Sequence, residues 1–173
     1  MDELNKVLAI SLSGKDREQA MTEFLRCLAD WQMSMPPAEA IVQDFGLGDF
    51  RRIGLIECWI ANETEAGYCG KYLFVFDGQQ CPAHHHRGKH ETFHIVRGKV
   101  RMVLDGAECV MGPGDTLAIA PGRRHSFQGV GPALLLEVSQ PCFLDDNYFE
   151  NTAIPIGGNY RAGRDDRGNR GAT

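Results

Sequence analysis

Long apolar runs are missing from this 173-residue chain; stretches such as 134–136 fall far short of the ~18 residues of a membrane span. A basic excess is missing too, since 18 Lys and Arg face 23 Asp and Glu for a net charge of −5. That balance provides neither a footprint for nucleic acid nor a polybasic membrane patch, so both partners are excluded. The opening MDELNK carries two acids where an export signal carries a basic lead and an apolar core, and the expected location is the cytoplasm. Six cysteines (27, 58, 69, 81, 109 and 142) form no CxxC pair, which argues for small buried thiols and against a disulfide framework or a zinc knuckle. Internal repeats and low-complexity blocks are absent. What remains, 43% hydrophobic and 24% charged residues, is the composition of one globular domain, large enough to bury a core without staples.

Residues 16–33 place Met21, Phe24, Leu25, Leu28 and Trp31 at helical spacing, with Asp16 as the expected N-cap. Met35-Pro36-Pro37 ends that helix, and the stretch after Pro37 permits a second short one before Gly46 and Gly48. From Ile53 the texture changes. Short runs rich in Val, Ile, Leu and Phe recur every eight to twelve residues between Gly, Pro, Asp and Asn clusters, the rhythm of a β-sandwich or barrel. Asp105-Gly106 has the composition of a two-residue hairpin turn, in which both residues need positive φ. The expected organisation is an N-terminal helical segment (1–52) packed on a barrel (53–154), followed by a flexible tail (155–173) whose five glycines and four arginines are diluted by Asp165 and Asp166.

All six histidines lie between residues 84 and 125, five of them within eleven positions. On an extended strand His84 and His86 share one face while His85 points away, so the pair is placed to grip one metal. The Arg87-Gly88 step allows a turn that brings Glu91 back to the same ion, and His125 follows one hairpin later as a fourth ligand. Imidazoles with a carboxylate suit Mn²⁺, Fe²⁺, Co²⁺, Ni²⁺ or Zn²⁺. His90 and His94 are read as structural.

These residues carry a resemblance. Gly78, His84, His86, Glu91 and Gly98 match the first cupin motif at every fixed position, and Gly114, Gly122 and His125 match the second, with Ala120 at its proline and Gly129 at its asparagine. The resemblance implies an all-β cupin double-stranded β-barrel (jelly roll) with an N-terminal helical extension, and a divalent metal on His84, His86, Glu91 and His125. More narrowly, the MPP, DFGLGDF, GLIECWIANETEAGYCGK, GQQCPAHHHRGKHETF and LEVSQPCFLDDNYF segments resemble the D-lyxose isomerases, sugar ketol-isomerases whose HxHxxKxETF motif falls on His84, His86, Lys89, Glu91, Thr92 and Phe93. That likeness implies aldose-ketose isomerisation through an enediolate, D-lyxose/D-xylulose type, and a role for Lys89 beside the developing charge, while the cupin resemblance implies a homodimer.

Moving a proton between neighbouring carbons requires a polarised carbonyl and a carboxylate over the two carbons. Mn²⁺ is the first choice of metal, because it takes mixed N and O ligands and need not change oxidation state. Glu137, set in the apolar strand ALLLEVS, is the candidate base; strand alternation puts it with Leu135 and Ser139, and burial is expected to raise its pKa. Lys71, Gln80 and Asp146 are candidate sugar contacts. An Fe²⁺ cupin dioxygenase would use the same ligands without needing Glu137 or Lys89, and a non-catalytic sugar-binding cupin is the other alternative.

Overall fold

A computed structural model describes residues 3–8 and 10–159. Two helices lead the chain, α1 (Glu3–Leu8) and α2 (Gly14–Asp30). They are followed by β1 (Ile41–Gln43), β2 (Leu55–Glu63), β3 (Tyr68–Val75), β4 (Gln80–His85), β5 (Glu91–Arg97) and β6 (Val100–Leu104). Next come β7 (Ala107–Met111), β8 (Thr116–Ile119), β9 (His125–Gly129) and β10 (Ala133–Ser139), then a 3-10 turn (Leu144–Asp146) and β11 (Tyr148–Phe149). The strands form two sheets, ordered β1-β2-β3-β10-β5-β8 and β11-β4-β9-β6-β7, and every pairing between these strands is antiparallel. This is the jelly-roll barrel that the cupin motifs imply.

The barrel core fills the space between the sheets with Leu55, Leu73, Phe93 and Ile95 from one side and Val100, Met102 and Phe127 from the other. A second core lies outside the larger sheet, where Ala20, Phe24 and Leu28 of α2 cover Ile56, Cys58, Phe74 and Leu134. Phe24 and Phe74 meet at 4.9 Å between ring centroids. Fully burying a Phe or Leu contributes about 1.5–3 kcal/mol, so this contact fixes the helix. It also explains the run Leu55–Trp59, buried on both faces, whereas Ala107–Val110 on the edge strand β7 is exposed. Gly98, the last glycine of the first motif, sits at φ 72 where a Cβ would run into the Pro132 carbonyl oxygen.

Several local expectations change. Ser13, not Asp16, is the N-cap of α2; Asp16 lies in the first turn, where the helix dipole favours an acid. The helix stops before the prolines because Gln32 adopts φ 54 and the Met33 N–H turns back to the Leu28 carbonyl at 2.9 Å. The segment after Pro37 forms β1 rather than a helix, since pairing Ile41–Gln43 with Leu55–Glu57 buries Ile41 and Val42 completely. Asp105 and Gly106 take φ 48 and 85, and Leu104 pairs with Ala107 as a two-residue hairpin requires. The expectation of a flexible tail falls, from residue 160 onward, outside the described residues.

Candidate metal centre and its charged cavity

His84 is the penultimate residue of β4, His86 comes just after that strand, Glu91 opens β5 and His125 opens β9; His84 and His125 are cross-strand partners. The ligand nitrogens of the three histidines lie within 4.8 Å of one another, and all three rings are buried. Each Nδ1 is tied to a main-chain carbonyl: His84 to Pro82 at 2.8 Å, His86 to Asp146 at 2.9 Å and His125 to Arg123 at 3.1 Å. A carbonyl only accepts, so each Nδ1 carries the hydrogen and each Nε2 presents a lone pair inward. Burial holds His84 well below the usual imidazole range and lowers His86 as well, so both rings are neutral.

Glu91 Oε1 stands 2.9 Å from His125 Nε2 and 3.5 Å from His86 Nε2. Those three atoms are the buried side-chain polar atoms without a hydrogen-bond partner among the described residues. Burial alone would raise the Glu91 carboxyl, but the Lys89 ammonium 2.8 Å away overrides it and holds the group well below its ordinary value. A carboxylate oxygen facing two imidazole lone pairs is repulsive unless a cation lies between them. The donor set therefore fits a divalent metal held by His84, His86, Glu91 and His125.

Behind this cluster runs a ladder of buried charge on the inner face of the larger sheet. Lys89 Nζ bridges Glu91 Oε2 at 2.8 Å and Glu137 Oε1 at 2.9 Å. Lys71 Nζ lies 3.5 Å from Glu137 Oε2 and 3.3 Å from Glu57 Oε2. Ser139 Oγ donates to Glu137 Oε1 at 2.9 Å. Burial would lift the Glu137 carboxyl, as the strand pattern predicts, but Lys71 and Lys89 outweigh it and the net shift is downward; that expectation is overturned. Both lysines move upward: burial would lower each, yet Cys142, Glu137 and Glu57 raise Lys71, and Glu137 and Glu91 raise Lys89. Both stay charged.

His84, Glu91 and the ladder line one cavity of ≈ 50 Å³, walled on its apolar side by Leu55, Leu73, Phe93 and Phe127. At about 10–15 Å³ per water, that is room for roughly three to five waters. Cys81 also lines it, with its thiol pushed up by burial and so kept protonated. Of the residues singled out in the sequence, His84, Glu91, Glu137, Lys89 and Lys71 line the cavity, and His86 and His125 join them at the metal cluster.

Gln80 and Asp146 are not among the lining residues. The pairing of β4 with β9 shifts between Cys81 and His84, so residues an odd number apart both face inward and Gln80 falls on the other side. Asp146 instead turns both carboxylate oxygens to the main-chain N–H groups of Arg87 (2.9 Å), Gly88 (3.2 and 3.1 Å) and Lys89 (3.1 Å), clasping the loop that carries the site. His85 points outward and stacks on Tyr148, ring centroids 5.2 Å apart. Sequence reasoning missed Glu57, although its signal matches that of Glu137: an acid inside an apolar strand, LIECWI.

Sequence comparison bears on the same residues. The D-lyxose isomerase family profile matches residues 40–105, and a cupin-domain profile matches residues 74–139. A D-lyxose/D-mannose isomerase of Thermosediminibacter oceani is 33% identical over 141 residues, covering 65% of this chain and 77% of the relative. The chain belongs to the D-lyxose isomerase family. It is accordingly a sugar aldose-ketose isomerase, an enzyme, which sets aside the dioxygenase and the non-catalytic binder. A D-lyxose ketol-isomerase of Cohnella laeviribosi is 35% identical over 118 residues, covering 53% of this chain and 63% of that one. In fold, an L-ribose isomerase of Cellulomonas parahominis superposes with a TM-score of 0.69 at 16% identity, over 87% of this chain and 97% of that one. Among the described residues no helix is long and apolar enough to cross a membrane.

Proposed function

We propose that this isomerase interconverts D-lyxose and D-xylulose, with a divalent cation, manganese first, on His84, His86, Glu91 and His125, and with Glu137 carrying the proton between the two carbons. The observation that carries this reading is the set of orphaned inward atoms, Glu91 Oε1 facing two imidazole nitrogens at 2.9 and 3.5 Å, next to a carboxylate held ionised in a buried cavity. When bound, a divalent cation supplies Lewis-acid polarisation of the sugar carbonyl.

The rest falls to the chain. Glu137, ionised at neutral pH, takes the proton from one carbon of the open-chain sugar and returns it to its neighbour, leaving an enediolate between the two transfers. Lys89 is committed by two short bonds to Glu91 and Glu137, so it keeps both carboxylates charged and aligned. Lys71 is looser. Its contacts at 3.3, 3.5 and 3.9 Å (Glu57, Glu137 and Cys142 Sγ) are longer than the ~2.7–2.9 Å of a settled charge-assisted bond. That leaves its ammonium to donate to a substrate oxygen as negative charge develops. The apolar wall of Leu55, Leu73, Phe93 and Phe127 keeps water from the enediolate.

A homodimer belongs to the same reading, supported by Ile60, Tyr68 and Val138, which stay 51–55% exposed on β2, β3 and β10. Sedimentation of the purified chain tests it. The activity is tested by incubating manganese-loaded protein with D-lyxose, D-mannose, D-ribulose and D-xylulose and separating the products, with and without a chelator. Chelator-sensitive conversion of D-lyxose to D-xylulose is expected; four unchanged sugars overturn the proposal.

A further inference from the structure

Glu57 is a buried carboxylate that the proton transfer does not use. It sits on β2, 6% exposed, and lines the same cavity as His84, Glu91 and Glu137. From Glu91 it is reached only through the whole ladder, by steps of 2.8 Å to Lys89, 2.9 Å to Glu137, 3.5 Å to Lys71 and 3.3 Å to Glu57 itself. It therefore stands at the end of the cavity away from the metal cluster. The ladder sets three buried acids, Glu57, Glu91 and Glu137, against two lysines, Lys71 and Lys89. Burying a further carboxylate costs several kcal/mol, and such a group persists where it has work to do.

Its orientation is fixed from two strands. Gln43 Nε2 on β1 donates to Oε1 at 2.9 Å, and Trp59 Nε1 on β2 donates to Oε2 at 2.7 Å, the oxygen that Lys71 also approaches. A carboxylate offers about four acceptor sites. Three donors are in place, and the open site is on Oε1, in a cavity with no other carboxylate at that end.

An open-chain sugar engaged at its carbonyl end presents only hydroxyls at its other end, and a hydroxyl needs an acceptor. We propose that Glu57 accepts a hydrogen bond from the terminal hydroxyl of the sugar and so determines which chain lengths and which ends the enzyme takes. This rests on the isomerase reading above. It also specifies an unphosphorylated substrate, since a terminal phosphate would set its charge against Glu57. The competing role, a mere counter-ion for Lys71, makes a different prediction: losing Glu57 would then harm every sugar alike.

The test compares kcat/KM for D-lyxose and 5-deoxy-D-lyxose in the manganese-loaded wild type and in Glu57→Gln. A site built around a hydroxyl discriminates strongly against the analogue lacking it, so the wild type is expected to favour D-lyxose by at least about a hundredfold. In Glu57→Gln that preference falls to within about tenfold, through loss on D-lyxose with little change on the deoxy sugar. Equal losses on both sugars in the variant, or a wild type that treats the two alike, overturn the proposal. A wild type that treats the two sugars alike overturns the proposal even where the variant fails to fold. Inactivity of the wild type on D-lyxose itself would instead overturn the isomerase reading, and Glu57's role with it.

Discussion

Replacing Lys89 with Met keeps all but the last atom of the side chain's length and removes its charge. The ammonium lies 2.8 Å from Glu91 and 2.9 Å from Glu137, so without it two buried carboxylates share a gap with nothing positive between them. Removing one partner of a buried ion pair costs about 3–5 kcal/mol. For a domain of this size each kcal/mol moves Tm by roughly 2–4 °C, which places the metal-free variant about 6–20 °C below wild type. The change also reaches the chemistry. Lys89 is one of two cations that hold Glu137 below its ordinary range against burial, and with it gone burial and Glu91 push the group upward. The base must be ionised, so activity is present above its pKa and lost as pH falls through it. The acid limb of kcat/KM therefore moves to higher pH in the variant. Thermal melts in chelator and a pH-rate profile measure both effects. A Tm within about 2 °C of wild type together with an unmoved acid limb would refute the reasoning.

Asp146→Ala takes the acceptor from the main-chain N–H groups of Arg87, Gly88 and Lys89, loosening the loop that carries His86 and Lys89, and manganese affinity by calorimetry should fall about 10–100-fold. An unchanged affinity would show that the loop holds its shape without the clasp. In the metal-free protein, His84 and His86 are held neutral by burial while the unfolded chain protonates its imidazoles below about 6.5. The unfolded state then binds more protons, so stability is full above that pH and declines as pH drops through 6 and 5, by up to about 1.4 kcal/mol per unit for each ring. Urea melts at pH 7.5 and 5.0 read this directly, and a flat profile counts against neutral rings. Manganese at a hundred times its Kd should stabilise by about 2.7 kcal/mol, seen as a raised Tm in wild type and not in His84→Ala.

The strands were legible because the barrel imposes a two-residue period on one face and turn chemistry at fixed points; Asp105-Gly106 is the clearest case. The metal cluster was legible for the same reason: alternation alone separates His84 and His86 from His85. What escaped is what tertiary contact decides. Ile41–Gln43 is a strand because an edge of β2 waits for it, and Glu3–Leu8 is a helix because Val7 closes over Ile41, Trp59 and Cys142. A register shift on β4 turns Gln80 away from the cavity, and such a shift is invisible to a strict alternation. Asp146 clasps main-chain amides, and in sequence such a carboxylate looks like one that waits for a sugar. The Glu137 shift runs opposite to the burial argument because two lysines, 48 and 66 positions away in the chain, arrive beside it.

The most direct measurement compares wild type with Glu137→Gln at matched manganese content, following D-lyxose conversion. Both proteins are expected to hold one metal per chain, with the variant slower in kcat by about 10²–10⁴-fold. A variant that converts the sugar at the wild-type rate would contradict the assignment of Glu137 as the group that moves the proton.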